Sequence, residues 1–290
     1  MIVILGGSGY IGQNILRHLE REGMAAKGTY FKNKQPGLEY FDLENRQLHG
    51  SVLSGPDVQY LVISAAVEAN IDGTRINWER AYHSNVTRLK AIIDFCFENQ
   101  ITPVYISTDN VFDGEKGNYR EGDTRNPQNG YGEIKYEVEN YLLNSGFEFI
   151  IVRVGKVFGD KPGDNTLLTS LIGELKQGKQ MLCAVDQVFT PIYIRDLTSA
   201  ISYLIKNQCA GVFHLASLEA TSRYKIAIAI ADYFQIQDVK IMPCQINALN
   251  LLEKRPLLIN LNCGKFNELT GFKQKDITYY LSLISNEKFH

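Results

Sequence analysis

The amino-acid sequence shows no excess of charge of either sign. Its 290 residues include 30 Lys and Arg against 32 Asp and Glu, which gives a formal net charge of −2. Nucleic-acid-binding surfaces need clustered basic residues, so no nucleic acid is expected as a partner. No apolar run is long enough to cross a bilayer, and the start does not resemble a signal peptide. We therefore expect a cytoplasmic protein with no membrane partner. The oligomeric state stays open, with a homodimer as one option.

The sequence also has few cysteines, and they form no C-x-x-C motif. The five are Cys96, Cys183, Cys209, Cys244 and Cys263. An odd number of scattered cysteines predicts reduced thiols and argues against a disulfide framework. The histidines likewise lack the spacing typical of metal ligands, so no metal site is predicted.

The first half of the sequence alternates short apolar runs with amphipathic stretches. The predicted strands are Ile2–Leu5, Ala25–Phe31, Val58–Ser64, Pro103–Ser107 and Phe147–Val154. The predicted helices are Ile11–Glu22, Trp78–Glu98 and Tyr131–Leu143. Strands that alternate with helices are typical of a parallel sheet with right-handed crossovers. The sequence therefore predicts an α/β fold with a doubly wound parallel sheet, the Rossmann architecture.

Beyond about residue 155 the loops lengthen and the alternation weakens. The predicted helices there are Asn165–Gln177, Arg195–Lys206, Ser222–Phe234 and Asp276–Ser285, with short strands near Gln180–Ala184 and Val212–Leu215. We expect residues 1–155 to form a dinucleotide-binding domain. Residues 156–290 are expected to form mainly a smaller substrate-binding lobe, with some segments returning to the Rossmann core. A ligand is expected in the crevice between the two.

A glycine-rich segment joins the first predicted strand to the first predicted helix. It consists of Gly6, Gly7, Ser8, Gly9, Tyr10, Ile11 and Gly12. Glycines in such a segment permit a tight turn, let the backbone approach a phosphate and let the helix pack on the strand. A helix N-terminus also attracts anions through its N–H groups and its dipole. We predict that this loop binds the pyrophosphate of a nicotinamide dinucleotide.

The choice of cofactor depends on the residues that follow the second predicted strand. NAD-binding folds usually carry an acidic residue there, which binds the ribose 2′-hydroxyl. This sequence has Lys32 and Lys34 in that region and no acid. Two cations suit the 2′-phosphate of NADPH, so NADPH is the expected cofactor, with NADH left as the alternative. Asp42, followed by Leu43, is a candidate to bind the adenine amino group.

A candidate catalytic set follows from spacing and order along the chain. Tyr131 and Lys135 lie four residues apart at the start of a predicted helix, so their side chains share one face. An ammonium near a phenol stabilises the phenolate, so Lys135 is expected to lower the pKa of Tyr131. Tyr131 is then placed to protonate a carbonyl oxygen while hydride arrives at the carbon. Thr108 ends the preceding strand, and its hydroxyl is predicted to hold the same oxygen.

Longer segments around these residues resemble the extended short-chain dehydrogenase/reductase family and, within it, the dTDP-4-dehydrorhamnose reductases. The segments that carry the resemblance are 106–114 (ISTDNVFDG), 126–135 (NPQNGYGEIK), 153–159 (RVGKVFG), 186–197 and 255–265. The resemblance implies an NADPH-dependent reductase of a nucleotide-linked 4-keto-6-deoxy sugar. In the reaction that the resemblance implies, the keto sugar receives hydride from the nicotinamide and a proton from Tyr131.

The resemblance also implies roles for residues outside the catalytic set. The turn formed by Ser64, Ala65 and Ala66 is expected to line the cofactor, as are Tyr131 and Lys135, with Lys135 at the nicotinamide ribose. Asn85, also expected among the cofactor-binding residues, should support the active site from a helix. The expected substrate-binding residues are Asn110, Arg153, Lys156 and Arg255. Among these, Asn110 stands where the family usually has an aromatic residue. The resemblance therefore does not define the sugar pocket.

Two alternatives to simple reduction remain. A sugar-nucleotide dehydratase needs an Asp–Glu pair after the Thr, and Asn110 replaces that Glu. An epimerase needs a further acid or base near the sugar, and no cysteine stands beside Thr108. The other alternative is non-catalytic, because the sequence is also similar to the regulatory subunit of methionine adenosyltransferase, which shares the fold and binds the dinucleotide.

Overall fold

The computed structural model describes residues 1–43, 45, 52–53, 55, 57–67 and 70–284. The strands are β1 (Ile2–Leu5), β2 (Ala26–Tyr30), β3 (Leu38–Tyr40), β4 (Tyr60–Ile63), β5 (Thr102–Thr108), β6 (Ile150–Val154), β7 (Val157–Phe158), β8 (Met181–Ala184), β9 (Ile192–Tyr193), β10 (Gly211–Leu215) and β11 (Ile241–Cys244). The α-helices are Tyr10–Arg21, Ile71–Ile76, Trp78–Tyr82, Leu89–Glu98, Gly130–Leu143, Leu167–Lys176, Ile194–Lys206, Arg223–Tyr233, Gly264–Thr270 and Ile277–Ser282.

A seven-stranded parallel sheet organises the fold, with the order β10-β6-β5-β4-β1-β2-β3. Strand β1 pairs with β2 on one side, where Ile2 faces Ala26, and with β4 on the other, where Ile2 faces Tyr60. The chain thus changes direction across the sheet at β1, and ligands of open α/β sheets bind at this switch point, beyond the carboxyl ends of the strands. The prediction of a doubly wound Rossmann-type sheet is confirmed.

Buried apolar side chains explain why these segments form central strands. All four residues of β1 are buried, and Leu61, Val62 and Ile63 of β4 are buried as well. A strand covered by helices on both faces cannot alternate polar and apolar residues, so its sequence is a continuous apolar run. The short strand β3 was not predicted, because its three residues are half-buried or exposed and give no such run.

The region predicted as one helix from Trp78 to Glu98 contains a π-helical segment, His83–Arg88, between two α-helices. A π-helix inserts an extra residue per turn, and such insertions occur often at functional sites. Here the segment contains the buried Asn85. The predicted helix Asp276–Ser285 is shorter in the structure, Ile277–Ser282, and Ser285 lies outside the described residues.

The chain divides into two compact units, and each unit is built from segments that are not contiguous in the sequence. The first comprises Met1–Val111, Asn129–Arg153 and Thr198–Phe213, and the second Phe112–Gln128, Val154–Leu197 and His214–His290. Within the second unit, β7 pairs with β9 and β8 with β11 as separate two-stranded sheets. Across the described ranges, no helix has the length and apolar content needed to span a membrane.

Candidate active site

The glycine loop after β1 adopts a turn that side chains would obstruct. Gly6 has φ +86°, a left-handed conformation, and a Cβ there would lie 2.7 Å from the backbone of Ala65. At Gly12 a Cβ would lie 2.2 Å from the carbonyl oxygen of Gly6. The amide of Gly9 donates to that same oxygen at 3.0 Å. Gly6 and Gly12 are therefore required, because neighbouring backbone atoms leave no room for a Cβ at either position.

The first helix begins at this turn in a way that favours an anion. Gly9, its N-cap, is exposed and extended, with φ −78° and ψ 164°, and it provides no side-chain cap. The first turn of the helix contains no acidic residue. The N–H groups of a first helical turn have no intrahelical acceptors, and the helix dipole adds positive potential there. The loop thus has the shape and the charge that a pyrophosphate needs.

The turn after β4 lies directly beside the glycine loop. The hydroxyl of Ser64 donates to the carbonyl of Leu5 at 2.9 Å, and Ala65 is the neighbour that limits Gly6. The carboxamide of Asn85 accepts from the amide of Val67 at 2.8 Å and donates to its carbonyl at 2.7 Å. Asn85 therefore holds the end of this turn by two hydrogen bonds, while Ala66 stays exposed.

The residues expected near the adenosine follow β2 and β3. Lys32 and Lys34 are exposed just beyond β2. The amide of Phe41 donates to the carbonyl of Tyr30 at 2.8 Å, which joins the ends of the two strands. Asp42 and Leu43 come next and are half-buried.

The helix Gly130–Leu143 begins one residue before Tyr131 because Asn129 caps it. The side-chain oxygen of Asn129 accepts from the amide of Gly132 at 2.9 Å. Gly130 lies against Trp78, whose ring would be 3.0 Å from an added Cβ. The cap and this close contact determine where the first turn of the helix lies, and Tyr131 belongs to that turn.

Thr108, Tyr131 and Lys135 come together at the carboxyl end of β5. Thr108 ends the strand, its hydroxyl donates to Asp109 Oδ1 at 3.1 Å, and it lies close enough to Tyr131 to lower the pKa of that phenol. The Nζ atom of Lys135 donates to the carbonyl of Ile106 at 2.9 Å and lies 6.0 Å from the centre of the Tyr131 ring. The three groups thus lie within one small region of the first unit, as the spacing along the sequence predicted.

Burial shifts the pKa values of both Tyr131 and Lys135. Burial raises the pKa of Tyr131 to about 12, and the charge of Asp109 acts in the same direction, while a hydrogen bond with Thr108 opposes both. By its accessible surface the Tyr131 side chain is half-buried. Burial also lowers the pKa of Lys135 to about 8, against the attraction of Glu139. Burial and the charge of Asp109 decide the direction in which the pKa of Tyr131 shifts, and the expected lowering of that pKa by Lys135 stays a prediction.

A buried ion pair lies beneath Lys135 on the same helix face. Glu139 and Arg153 are 0% and 1% exposed, and their side chains form a two-point contact with Nη2–Oε2 at 2.7 Å and Nε–Oε1 at 3.0 Å. The hydroxyl of Ser107 donates to Glu139 at 2.5 Å. Sequence reasoning missed Glu139, although the positions 131, 135 and 139 share the four-residue spacing of one helix face.

This ion pair changes the interpretation of Arg153. The residue was expected to bind the substrate diphosphate, but its guanidinium is enclosed in the core of the first unit and bound by Glu139. A group without exposed surface does not reach a ligand, so we assign Arg153 to the support of the site. The prediction of a substrate contact came from the position of Arg153 at the end of a central strand.

The other three expected substrate residues are placed differently. Asn110 is 8% exposed, and its carboxamide is bonded to Asp109, Thr108 and Asn129. Lys156 is exposed, and Arg255 is half-buried with Nη1 donating to the carbonyl of Glu253 at 2.9 Å. Lys156 and Arg255 belong to the second unit.

The family model of the RmlD substrate binding domain matches residues 1–288 of the chain. The chain belongs to this family. Two curated relatives align with most of the chain. The chain is 25% identical over 279 residues to methionine adenosyltransferase 2 subunit beta of Danio rerio, covering 93% of this chain and 84% of the relative. It is 29% identical over 227 residues to the probable low-salt glycan biosynthesis reductase Agl14 of Haloferax volcanii, covering 76% and 75%.

Solved structures of other RmlD-type proteins share the fold across nearly the whole chain. A hypothetical dTDP-4-dehydrorhamnose reductase from Sulfolobus tokodaii has a TM-score of 0.85 and 27% identity, covering 98% of this chain and 99% of that one. The dTDP-4-dehydrorhamnose reductase from Bacillus anthracis in complex with NADP has a TM-score of 0.83 and 23% identity, covering 97% and 96%. The resemblance to the dTDP-4-dehydrorhamnose reductases is confirmed.

Proposed function

We propose that this protein is an NADPH-dependent reductase of a nucleotide-linked 4-keto-6-deoxy sugar. The observation that carries the proposal is the grouping of Thr108, Tyr131 and Lys135 at the carboxyl end of β5, with Tyr131 protonated at neutral pH. A protonated phenol is the form that reduction requires, because the new hydroxyl takes its proton from it. The likeness to dTDP-4-dehydrorhamnose reductases supports the same reaction class.

The residues of the glycine loop fit a dinucleotide. A Cβ at Gly12 would clash with the Gly6 carbonyl oxygen, and Gly9, the N-cap of the first helix, is exposed. These features support a pyrophosphate at that point, with Ser64, Ala65 and Ala66 beside it and Lys32 near the 2′-phosphate. When bound, the reduced cofactor supplies the hydride for the keto carbon. The NADP bound by the Bacillus anthracis reductase supports the same choice of cofactor.

The protein residues perform the proton chemistry. The Thr108 hydroxyl donates a hydrogen bond to the keto oxygen and orients it. As negative charge develops on that oxygen, Tyr131 Oη transfers its proton, so the phenol O–H bond breaks and the product hydroxyl forms. Lys135 Nζ then stabilises the phenolate, which solvent reprotonates. With its pKa at about 8, Lys135 is charged at neutral pH and is a better proton donor than an exposed lysine.

A turnover assay tests the proposal. Purified protein, NADPH and dTDP-linked 4-keto-6-deoxy sugar are mixed, and loss of the reduced-nicotinamide absorbance is compared with formation of the reduced sugar. We expect both to proceed in equal amounts and to stop when the keto sugar nucleotide is omitted. Absence of both processes with every 4-keto sugar nucleotide tried would contradict the reductase function.

A regulatory role is the second candidate, and one observation favours it. Similarity to methionine adenosyltransferase 2 subunit beta extends over 93% of this chain. A regulator of that kind would bind NADPH without turning over any sugar nucleotide and would form a stable complex with a methionine adenosyltransferase catalytic subunit. Size-exclusion chromatography of the mixture, together with the turnover assay, separates the two functions.

The pH dependence of turnover should report Lys135. We expect kcat/KM for the keto sugar to fall about tenfold per pH unit above pH 8, because the ammonium that stabilises the phenolate loses its proton there. Lys135→Met should lower the rate at neutral pH and remove this fall. A wild-type profile that stays flat from pH 7 to about pH 10 would contradict the role given to Lys135.

The same residue has a predictable effect on stability. Burial depresses its pKa in the folded state from 10.5 to about 8, so between these values the unfolded chain holds more protons than the folded one. The cost of burying the charged Lys135 is full below about pH 8 and is relieved as the pH rises toward 10.5. Between about pH 8 and pH 10.5, the Tm of wild type should therefore change with pH in the stabilising direction more steeply than the Tm of Lys135→Met.

The preference for NADPH should depend on the two lysines after β2. The double change Lys32→Ala and Lys34→Ala is expected to raise the KM for NADPH by about tenfold, equivalent to about 1.4 kcal/mol of lost binding, and to leave the KM for NADH nearly unchanged. Lys27→Ala is the matched control, since Lys27 is a cation of the same region that already pairs with Glu39 at 3.2 Å. Equal effects on both cofactors would contradict a 2′-phosphate contact.

A further inference from the structure

The ammonium of Lys135 lies over the face of a second tyrosine, Tyr105 of β5. Its Nζ atom is 4.7 Å from the centre of the Tyr105 ring, closer than the 6.0 Å that separate it from the centre of the Tyr131 ring. Tyr105 is 1% exposed and Lys135 is 9% exposed. The negative face of an aromatic ring attracts an ammonium, most strongly where both groups are removed from water. The Tyr105 ring is therefore an electrostatic partner of Lys135.

The alternation of side chains along β5 explains why this ring meets the catalytic helix. Residues two apart in a strand point to the same face, so Tyr105 and Ser107 share one face of β5. The hydroxyl of Ser107 donates to Glu139, which lies one helical turn beyond Lys135. The face that carries Tyr105 is thus the face of β5 that packs against the helix Gly130–Leu143.

Two neighbouring residues of β5 hold the ammonium by different means. The carbonyl of Ile106 accepts one N–H of Lys135 at 2.9 Å, and Tyr105 presents its ring face. A lysine ammonium has three N–H donors. The ring attracts the positive charge as a whole and takes up no strong hydrogen-bond donor, so donors of Lys135 stay available to the phenolate and to the cofactor.

We propose that Tyr105 is a positioning residue, whose ring face holds the Lys135 ammonium beside Tyr131 and keeps it charged during reduction of the keto sugar. The proposal rests on the reductase function proposed above. The role requires a neutral ring. Burial raises the pKa of Tyr105 well above its ordinary value, and the charge of Glu139 acts in the same direction. The ring therefore stays uncharged throughout the pH range in which Lys135 titrates.

Other ionisable groups also act on this pair. Among the described residues they are Tyr131 and Glu139 on the catalytic helix, Asp109 just after β5, and Arg153 on β6, which is paired with Glu139. Burial lowers the pKa of Lys135 to about 8, and the charge of Glu139 opposes this shift. Substitutions at position 105 leave all four groups in place, so a change in the titration of Lys135 reports the ring.

The variant Tyr105→Leu removes the ring and keeps an apolar side chain. We expect the pH at which kcat/KM for the keto sugar begins to fall to move down by about one unit. The rate should therefore be about fivefold below wild type at about pH 8 and within about twofold of it at about pH 6. Tyr105→Phe keeps the ring face and should restore the wild-type profile. A loss in Tyr105→Leu that is equal at every pH would indicate packing alone and would overturn the proposal.

Phe97→Leu is the matched control for the loss of an aromatic ring from the core. Phe97 packs against the same apolar core as Tyr105, stacks on Phe147, and lies at the end of the helix that leads into β5. This variant should be less stable than wild type but should keep its pH profile. An unchanged or upward-shifted profile in Tyr105→Leu would also overturn the proposal. If Tyr105→Leu does not fold, Tyr105→Met provides the same comparison.

A measurement without substrate separates failure of this inference from failure of the reductase function. The free energy of unfolding in urea is measured against pH for wild type and Tyr105→Leu, each compared with its Lys135→Met counterpart. The contribution of Lys135 rises with pH above the pKa of the folded state, near pH 8 in wild type. We expect this rise to begin about one unit lower in Tyr105→Leu. The same onset in both proteins overturns the inference. A shifted onset in a protein without turnover overturns the reductase function alone.

Discussion

Replacing Tyr131 by Phe is expected to lower kcat about 10³-fold and to leave NADPH binding within about twofold of wild type. The change removes one hydroxyl, which is the only group in the proposed mechanism that delivers a proton to the product oxygen. Its raised pKa, about 12, means that wild type carries this proton throughout the neutral range. The measurement is single-turnover reduction of the keto sugar nucleotide together with a fluorescence titration of NADPH.

The control for this change lies on the same helix. Tyr136→Phe also removes a phenol hydroxyl from a half-buried tyrosine, and it should retain wild-type turnover. A Tyr131→Phe protein that reduces the keto sugar at the wild-type rate would show that another group donates the proton. The assignment of the catalytic set would then fail, although the fold and the family would stand.

Replacing Glu139 by Ala is expected to lower the free energy of unfolding by about 3–5 kcal/mol. The change leaves the guanidinium of Arg153, only 1% exposed, without its carboxylate partner in the core. It also removes the acceptor of the Ser107 hydroxyl. Urea unfolding followed by circular dichroism measures the loss, and an exposed pair provides the comparison. Glu22→Ala, which breaks the surface contact with Lys206, should cost far less, because both of those side chains are exposed to solvent.

A second variant distinguishes the loss of the pair from the loss of packing. The double change Glu139→Leu and Arg153→Met replaces both charges by apolar side chains and should recover most of the stability that Glu139→Ala loses. We also expect its KM for the sugar nucleotide to stay near that of wild type, because Arg153 has no exposed surface. A large rise in that KM would restore Arg153 to the substrate contacts and contradict the core role.

Local patterns were sufficient for most of the fold. The continuous apolar run of β1, the glycines that follow and the helical spacing after them predicted a strand, a turn and a helix within one residue of their observed bounds. Each of these features depends on neighbours in the sequence, because strand burial and helix faces are set by periodicity. Short elements without such a period escaped, as the three residues of β3 did.

The electrostatics of the site depend on residues that are distant in sequence. The spacing of Tyr131 and Lys135 indicated that they share a helix face, but their pKa values are set by burial and by Asp109 and Glu139. Burial is a sum over every segment that surrounds a group, and no local pattern reports it. The same limit explains why the sequence did not reveal the role of Arg153. Its partner Glu139 lies on a helix, and only the tertiary structure brings that helix to β6.

By itself the sequence determined the Rossmann-type sheet, the glycine turn and the order of Thr108, Tyr131 and Lys135 along the chain, since each of these follows from spacing over a few residues. Only the tertiary structure decided which polar groups are available to a ligand and which are already hydrogen-bonded or ion-paired to one another. Asn110 and Arg153 belong to the second kind, because strand, helix and loop bring their partners to them and exclude the water that would otherwise solvate them.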